Sequence, residues 1–226
     1  KKHEIYRYGY HGISLGSIVN KLKSSNELSD KMIICHIGGG VSITAVKDGK
    51  SIDTTMGFTP LEGMIMATRV GDIDSGALIY LSEVLKLSGD KLKQYLNKKC
   101  GLLGLSAGFS DDVRELLKAE SENIDAKNAL DIYAYKIQKQ IGAYMATLGG
   151  LDTLVFSGTV GERSFKMRER ILGNLEGLGF ALDKNKNNVT DNIDAIISTQ
   201  ESKIKIRVVK TDEMTQIARE TREFIA

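Results

Sequence analysis

The stretch KMIICHIGGGVSITAVKDGKS, residues 31–51, constrains the fold more than any other part of the chain. Two apolar, β-rich runs, Met32–His36 and Val41–Val46, are joined through Gly38, Gly39 and Gly40. The second run leads into Lys47-Asp48-Gly49-Lys50, and Asp-Gly between β-rich runs is a strong hairpin signal. Met32–His36, Val41–Val46 and Ser51–Thr55 are therefore predicted as consecutive strands of a meander. A glycine triplet straight after a buried strand permits positive φ and lets a ligand press against main-chain N–H groups. A cluster of such groups forms an anion-binding concavity. A ligand-free bulge or tight turn explains the triplet equally well when it is taken alone.

The pattern beyond the meander is mixed. Helices are expected over Leu15–Leu22, Ile73–Leu87, Lys91–Lys98, Asp111–Ala119, Asn123–Leu148 and Phe165–Glu176. A last helix, capped by Thr211, is expected to run to Phe224. The long central helix carries Ile124, Leu130, Tyr133, Ile137, Ile141, Tyr144 and Leu148 at spacings that keep one face apolar. Further strands are expected at Thr153–Phe156, Ile193–Ser198 and Lys205–Val209. A meander, then helices, then strands alternating with helices describes a layered α/β or α+β domain. The only proline is Pro60, and no linker divides the 226 residues, so a single domain is expected.

Composition removes several classes of function. Apolar residues make up 42% and charged residues 27%, as in a globular protein. A net charge of +2 gives no nucleic-acid footprint. No apolar run is long enough to span a bilayer, and no membrane partner or signal peptide is read. Of the two cysteines, Cys35 lies in an apolar run and reads as a reduced core residue, which suits a cytoplasmic location. The chain opens on Lys1 directly before a structured-looking segment, which suggests a piece of a longer polypeptide.

Gly49-Lys50-Ser51 is not a P-loop. Thr44 stands where that motif needs its first glycine, and a β-like segment follows instead of a helix. A second glycine turn, Ser157-Gly158-Thr159-Val160-Gly161-Glu162, follows a strand and opens a helix, where polar ligand groups are favoured. Alone it reads equally well as a plain strand-to-helix turn. Two such turns in one chain suggest a nucleotide held in a cleft. Arg7, His11, Arg69, Asp72 and Asp74 are the remaining polar candidates. Arg69 has the fork geometry for a carboxylate or phosphate, Asp72 or Asp74 reads as a helix cap, and Asp111 reads as the cap of the helix that it opens. No metal-ligand spacing stands out.

Taken in order, Arg7-Tyr8-Gly9-Tyr10-His11-Gly12, His36-Ile37-Gly38-Gly39-Gly40, MGFTPLEG at 56–63, Thr68-Arg69-Val70-Gly71-Asp72-Ile73-Asp74, FSDDVR at 109–114, FSGTVGE at 156–162 and Thr211-Asp212-Glu213 resemble the acetate kinase family. The likeness runs from about Arg7 to Glu223. It implies an α/β fold of the actin-like ATPase (ribonuclease H-like) type, with a mixed central sheet flanked by helices. It also implies that residues 1–226 are the C-terminal, nucleotide-binding domain, with the family's N-terminal domain lying outside the chain. The implied reaction is reversible phosphoryl transfer from ATP to acetate, giving acetyl phosphate and ADP. The implied partners are acetate or another short carboxylate, the nucleotide, the N-terminal domain of the same enzyme and a second copy in a homodimer.

By the same resemblance, His11 and Arg69 are the catalytic residues, meeting the phosphoryl group and the acyl carboxylate. His36, Gly38, Gly39 and Gly40 surround the ATP phosphates. Asp112, Val113 and Arg114 line the nucleotide cleft, and Gly158, Thr159, Val160, Gly161 and Glu162 hold the adenosine end. Glu213 helps to place Mg²⁺. The chain departs from the family at Gly39 and Arg163, where asparagine is usual, and at Val70, where serine is usual. Propionate or butyrate kinase, a diverged ATP-binding module and a structural dimerisation domain are the alternatives.

Overall fold

The computed structural model describes residues 2–225. Its centre is a six-stranded mixed sheet in the order β3-β2-β1-β4-β6-β5. Strands β1 (Lys31–Ile37), β2 (Val41–Lys47) and β3 (Lys50–Thr54) form the expected antiparallel meander. Asp48 (φ 50°) and Gly49 (φ 74°) turn the hairpin in the left-handed conformation that a two-residue loop requires. Beyond β1 the sheet becomes parallel, first with β4 (Thr153–Ser157) and then with β6 (Lys205–Val208). The edge strand β5 keeps only Ala195–Ile196 of the expected Ile193–Ser198. The mixed sheet with helices on both faces is the architecture expected.

Side-chain alternation divides the sheet between two cores. Ile33, Cys35 and Ile37 of β1, with Leu154 and Phe156 of β4, face the larger core. The long helix α6 (Ile124–Leu148) covers that face with Leu130, Tyr133, Ile137, Ile141, Tyr144 and Leu148. Asn123 caps its start by accepting from the Ala126 N–H at 3.0 Å, and Gly149 (φ 65°) ends it. Cys35 is fully buried, and burial pushes its thiol up, as expected of a packed residue. Met32 and Ile34 of β1 and Val155 of β4 face the smaller core beneath α1 (Gly12–Ser24).

Other helices follow expectation with shifted ends: α2 (Ser75–Leu85), α3 (Gly89–Lys98), α5 (Val113–Ala119), α8 (Phe165–Leu172) and α10 (Glu213–Ile225). Asp74 caps α2 through the Ala77 N–H. The cap of α5 is Asp112 and not Asp111, and the carboxylate at the start of α10 is Asp212, which accepts from the Thr215 N–H. Thr211 is engaged elsewhere. Three short helices, α4 (Gly101–Leu105), α7 (Gly158–Arg163) and α9 (Lys184–Val189), have five or six residues each, too few to show a period.

Candidate functional site

Strands β1 and β4 run parallel with His36 opposite Ser157, so both glycine turns leave the same end of the sheet. The turns touch. Gly158 (φ 72°) packs so closely on β1 that a Cβ there would lie 2.9 Å from the Ile37 carbonyl oxygen. A Cβ on Gly38 would lie 3.8 Å from the Thr159 nitrogen. The C-terminal ends of parallel strands are where open α/β sheets bind ligands.

The glycine triplet works differently from expectation. None of Gly38, Gly39 and Gly40 has positive φ. The turn is tight, with the Gly38 N–H donating to the Gly40 carbonyl at 3.0 Å. Close approach explains Gly40: a Cβ there would meet His11 Nε2 at 3.3 Å and Arg69 Nη1 at 3.5 Å. Gly39 faces open space.

His11 and Arg69, separated by most of the meander, therefore converge on Gly40. His11 adopts left-handed φ (64°) as the N-cap of α1, which folds its ring back toward the sheet. Its Nδ1 lies 2.9 Å from Ser42 Oγ, and its ring stacks on His36 with centroids 4.1 Å apart. Ser14 Oγ holds His36 Nδ1 at 2.9 Å. Ser42, His36 and Ser157 form one row across β2, β1 and β4. Burial, with His11 adding to it, pushes His36 down to about 4. Burial and the Arg69 charge also lower His11. Both imidazoles are neutral at physiological pH.

Two interlocked loops deliver Arg69. The Gly63 N–H donates to the Asp72 carboxylate and the Asp72 N–H to the Gly63 carbonyl, both at 2.8 Å. Gly71 (φ 73°) lies so close to the 63–64 backbone that a Cβ would meet the Met64 carbonyl oxygen at 2.6 Å. Gly101 supports the loop from below, where a Cβ would stand 2.3 Å from the Met66 carbonyl oxygen. Arg69 has a long bond from Nη1 to the Pro60 carbonyl (3.3 Å) and no ion pair among the described residues. Arg7, another candidate, is already paired with Glu62 at 2.6 Å.

Several expected site residues are placed otherwise. Glu162 is buried and turned inward. Its Oε1 accepts from the Gly158 N–H (2.9 Å), the Thr211 N–H (3.0 Å) and the Thr211 hydroxyl (3.1 Å). It braces the turns after β4 and β6 and presents no carboxylate to a ligand through that oxygen. Val113 is a core residue, 5% exposed, so its side chain points away from any cleft. Asp112 and Arg114 pair with each other at 2.6 Å on the surface, and no hydrogen bond joins them to either glycine turn. Glu213 stands exposed as the first residue of α10. Among the described residues no group of three His, Cys, Asp or Glu side chains is arranged to hold a metal. Thr159 is exposed, and Gly161 is buried against β4.

Sequence reasoning missed the fully buried Arg168. Its Nε bonds Asn187 Oδ1, its Nη1 the Gly161 and Glu162 carbonyls, and its Nη2 the Asn187 and Thr190 carbonyls, all at 2.7–3.0 Å. Burial lowers its pKa to about 10, so it stays charged. It fixes the C-terminal end of α7 from beneath. Nothing local marks it, because an arginine in an amphipathic helix usually faces solvent.

Comparison with known proteins adds the following. The family model described as the Acetokinase family matches residues 1–219. The acetate kinase of Bacteroides thetaiotaomicron is 46% identical over 229 residues, an alignment that covers 100% of this chain and 57% of that protein. The crystal structure of Porphyromonas gingivalis acetate kinase superposes with a TM-score of 0.93 at 39% identity, covering 100% of this chain and 57% of that one. A propionate kinase from Francisella tularensis gives 0.88 at 39% identity, covering 97% and 56%. The chain thus spans a little over half the length of each of these proteins.

Proposed function

This chain belongs to the acetokinase family, and we propose on that premise that it is the nucleotide-binding, C-terminal domain of a reversible ATP-dependent acetate kinase. In this reading the remaining length of the enzyme is an N-terminal domain that closes on the substrates. The observation that carries the reading is the convergence of His11 Nε2 and Arg69 Nη1 on Gly40, beside the contact between the two glycine turns.

Phosphoryl transfer needs positioning and neutralisation of charge on the transferred group, not covalent help from the protein. Arg69 supplies a guanidinium with no carboxylate partner, which is free to grip the terminal phosphoryl and the acyl carboxylate. His11 supplies a neutral imidazole beside it. The Gly38 and Gly158 N–H groups are taken by the Gly40 carbonyl and by Glu162. That leaves the main-chain N–H groups of Gly39, Gly40, Thr159 and Val160 to face the phosphates from the sheet end, and preorganised donors of this kind stabilise developing charge. The ring of His36 forms a floor under His11. The exposed Asp112–Arg114 pair is assigned to the rim of the nucleotide cleft, and Gly161 and Glu162 to holding the shape of the adenosine-side turn. Glu213, a lone exposed carboxylate, suits a magnesium ion that keeps its waters and is carried mainly by nucleotide phosphates. When bound, Mg²⁺ neutralises phosphate charge.

A homodimer and a cytoplasmic location go with this reading. Helix α2 buries none of its residues and exposes Ile79, Tyr80 and Val84, an apolar face that supports self-association. Sedimentation of the chain tests it. Acetate is proposed as the acceptor, with propionate as the second reading because a propionate kinase superposes nearly as well.

Titration of the chain with Mg·ATP and Mg·ADP, together with hydroxamate capture of acyl phosphate from acetate, propionate and butyrate, tests the function. Binding with little turnover by the chain alone, and full turnover by the full-length enzyme, is expected. Absence of nucleotide binding overturns the reading in favour of a structural dimerisation domain. Binding without turnover in the full-length enzyme leaves a diverged ATP-binding module.

A further inference from the structure

We infer that Ser42 is a positioning residue: its hydroxyl donates to His11 Nδ1, fixes the imidazole as the Nε2–H tautomer, and aims that N–H at the space between Gly40 and Arg69. This rests on the reading that His11 meets the transferred phosphoryl group.

The assignment follows from counting donors and acceptors. Ser42 is fully buried on β2, and its Oγ has one hydrogen-bond partner among the described residues, His11 Nδ1 at 2.9 Å. A hydroxyl carries one proton to place. If Ser42 donates, its proton and the Nδ1 lone pair are both satisfied. If His11 donates from Nδ1 instead, the buried serine proton is left without an acceptor. That penalty favours the first arrangement by about tenfold or more.

The second histidine repeats the pattern. Ser14 is also fully buried, and the only partner of its Oγ among the described residues is His36 Nδ1 at 2.9 Å. Two serines thus hold the two stacked rings by their Nδ1 atoms, from β2 and from α1. The groups that face His11 are His36 below it and Arg69 beside it, and burial, followed by the Arg69 charge, disfavours its protonation. His11 Nε2 lies 3.3 Å from where a Cβ on Gly40 would be, with Arg69 Nη1 3.5 Å from the same point. Two N–H donors are then directed at one place. With the other tautomer, His11 would offer a lone pair to a phosphoryl oxygen and repel it.

Long-range ¹H–¹⁵N correlation of the imidazoles tests this in the wild-type chain. There are three histidines, so the spectrum is readily assigned with His3→Gln and His36→Gln. The expected result is Nε2 protonated and Nδ1 unprotonated in His11. Ser42→Ala should collapse that preference and Ser42→Thr should restore it. In the full-length enzyme, Ser42→Ala should lower kcat about tenfold or more while the KM for nucleotide stays unchanged. A wild-type His11 protonated at Nδ1 overturns the inference without any variant, as does a Ser42→Ala chain with an unchanged tautomer. The spectrum needs no nucleotide, so a chain that fails to bind ATP refutes the kinase reading and leaves the tautomer result standing.

Discussion

Glu162 accepts two hydrogen bonds from Thr211, from its main-chain N–H at 3.0 Å and its hydroxyl at 3.1 Å, while holding the Gly158 N–H at 2.9 Å. One buried carboxylate thereby ties the turn after β4 to the turn after β6. Bonds to a charged acceptor contribute more than neutral ones, and removing the acceptor strands buried donors. Glu162→Ala should therefore cost about 3 kcal/mol in urea unfolding and weaken nucleotide binding by misplacing Gly158. Glu162→Gln keeps one acceptor oxygen and should cost less than half as much. Equal stability of the alanine variant would remove the brace.

Gly158 and Gly39 offer a controlled pair. An alanine at 158 must hold φ near 72° and press its Cβ to 2.9 Å from the Ile37 backbone, so either β1 or the turn must move. A cost of about 2 kcal/mol or more is expected, with loss of nucleotide affinity. Gly39→Asn places its side chain in open space at ordinary φ. It should leave the unfolding midpoint within about 0.5 kcal/mol of the parent. Any effect on ATP affinity then belongs to the ligand contact, and calorimetric titration of both variants separates the two.

The parts legible in advance were those with local causes. Asp48-Gly49 announces its own turn, and α6 carries its apolar face, its Asn123 cap and its Gly149 stop within one continuous segment. Partnerships between distant segments were not legible. Nothing near Glu162 in sequence points to Thr211, and nothing beside Val113 shows that its side chain turns to the core between Asp112 and Arg114. Of the two properties expected of the glycine triplet, positive φ is absent, and close approach is present at Gly40 as room for His11 and Arg69. One available signal went unused. Ser42 and Thr44 alternate with Val41, Ile43 and Ala45 along β2, which sets the serine opposite His36 on the face that packs under α1.

Arg69→Ala should separate activity from folding. The guanidinium is only part-buried, has no ion pair among the described residues and makes only long bonds, to the Pro60 carbonyl and to Met66 Sδ. Its loss should change stability by less than about 1 kcal/mol. An arginine acting on a transferring phosphoryl group contributes about 10³-fold or more in related chemistry. The kcat of the full-length enzyme should fall on that scale while the affinity of the chain for ADP is kept. A variant that unfolds, or one that turns over normally, contradicts this placement.

The stacked histidines predict a pH dependence with a definite sign. His36 is held at about 4 in the folded chain against 6.5 for an ordinary histidine, because burial, and then the neighbouring His11, disfavours its charge. A native pKa below the unfolded value means that the unfolded state takes up the proton first. Stability is then complete above pH 6.5 and declines as pH falls from 6.5 toward 4. The slope approaches about 1.4 kcal/mol per pH unit for one such group, and the lowered His11 adds in the same direction. Urea midpoints measured across this window should show the decline. His36→Asn should flatten it, although the variant starts from lower stability at neutral pH. A wild-type profile flat from pH 6.5 to 4 would show that the rings are more hydrated than this packing allows.

Arg168 carries the most demanding packing in the chain. It is fully buried without a carboxylate partner, and all its donors go to Asn187 Oδ1 and to the carbonyls of Gly161, Glu162, Asn187 and Thr190. Arg168→Ala strands those acceptors and leaves a cavity, and a loss of about 3–5 kcal/mol is expected. Arg168→Lys keeps the charge but cannot reproduce a planar fork that serves α7 and α9 together, so it should recover only part of the loss. Since α7 begins at Gly158, the lysine variant should also bind ADP more weakly where it remains folded. Hydrogen exchange at 158–163 should accelerate in parallel.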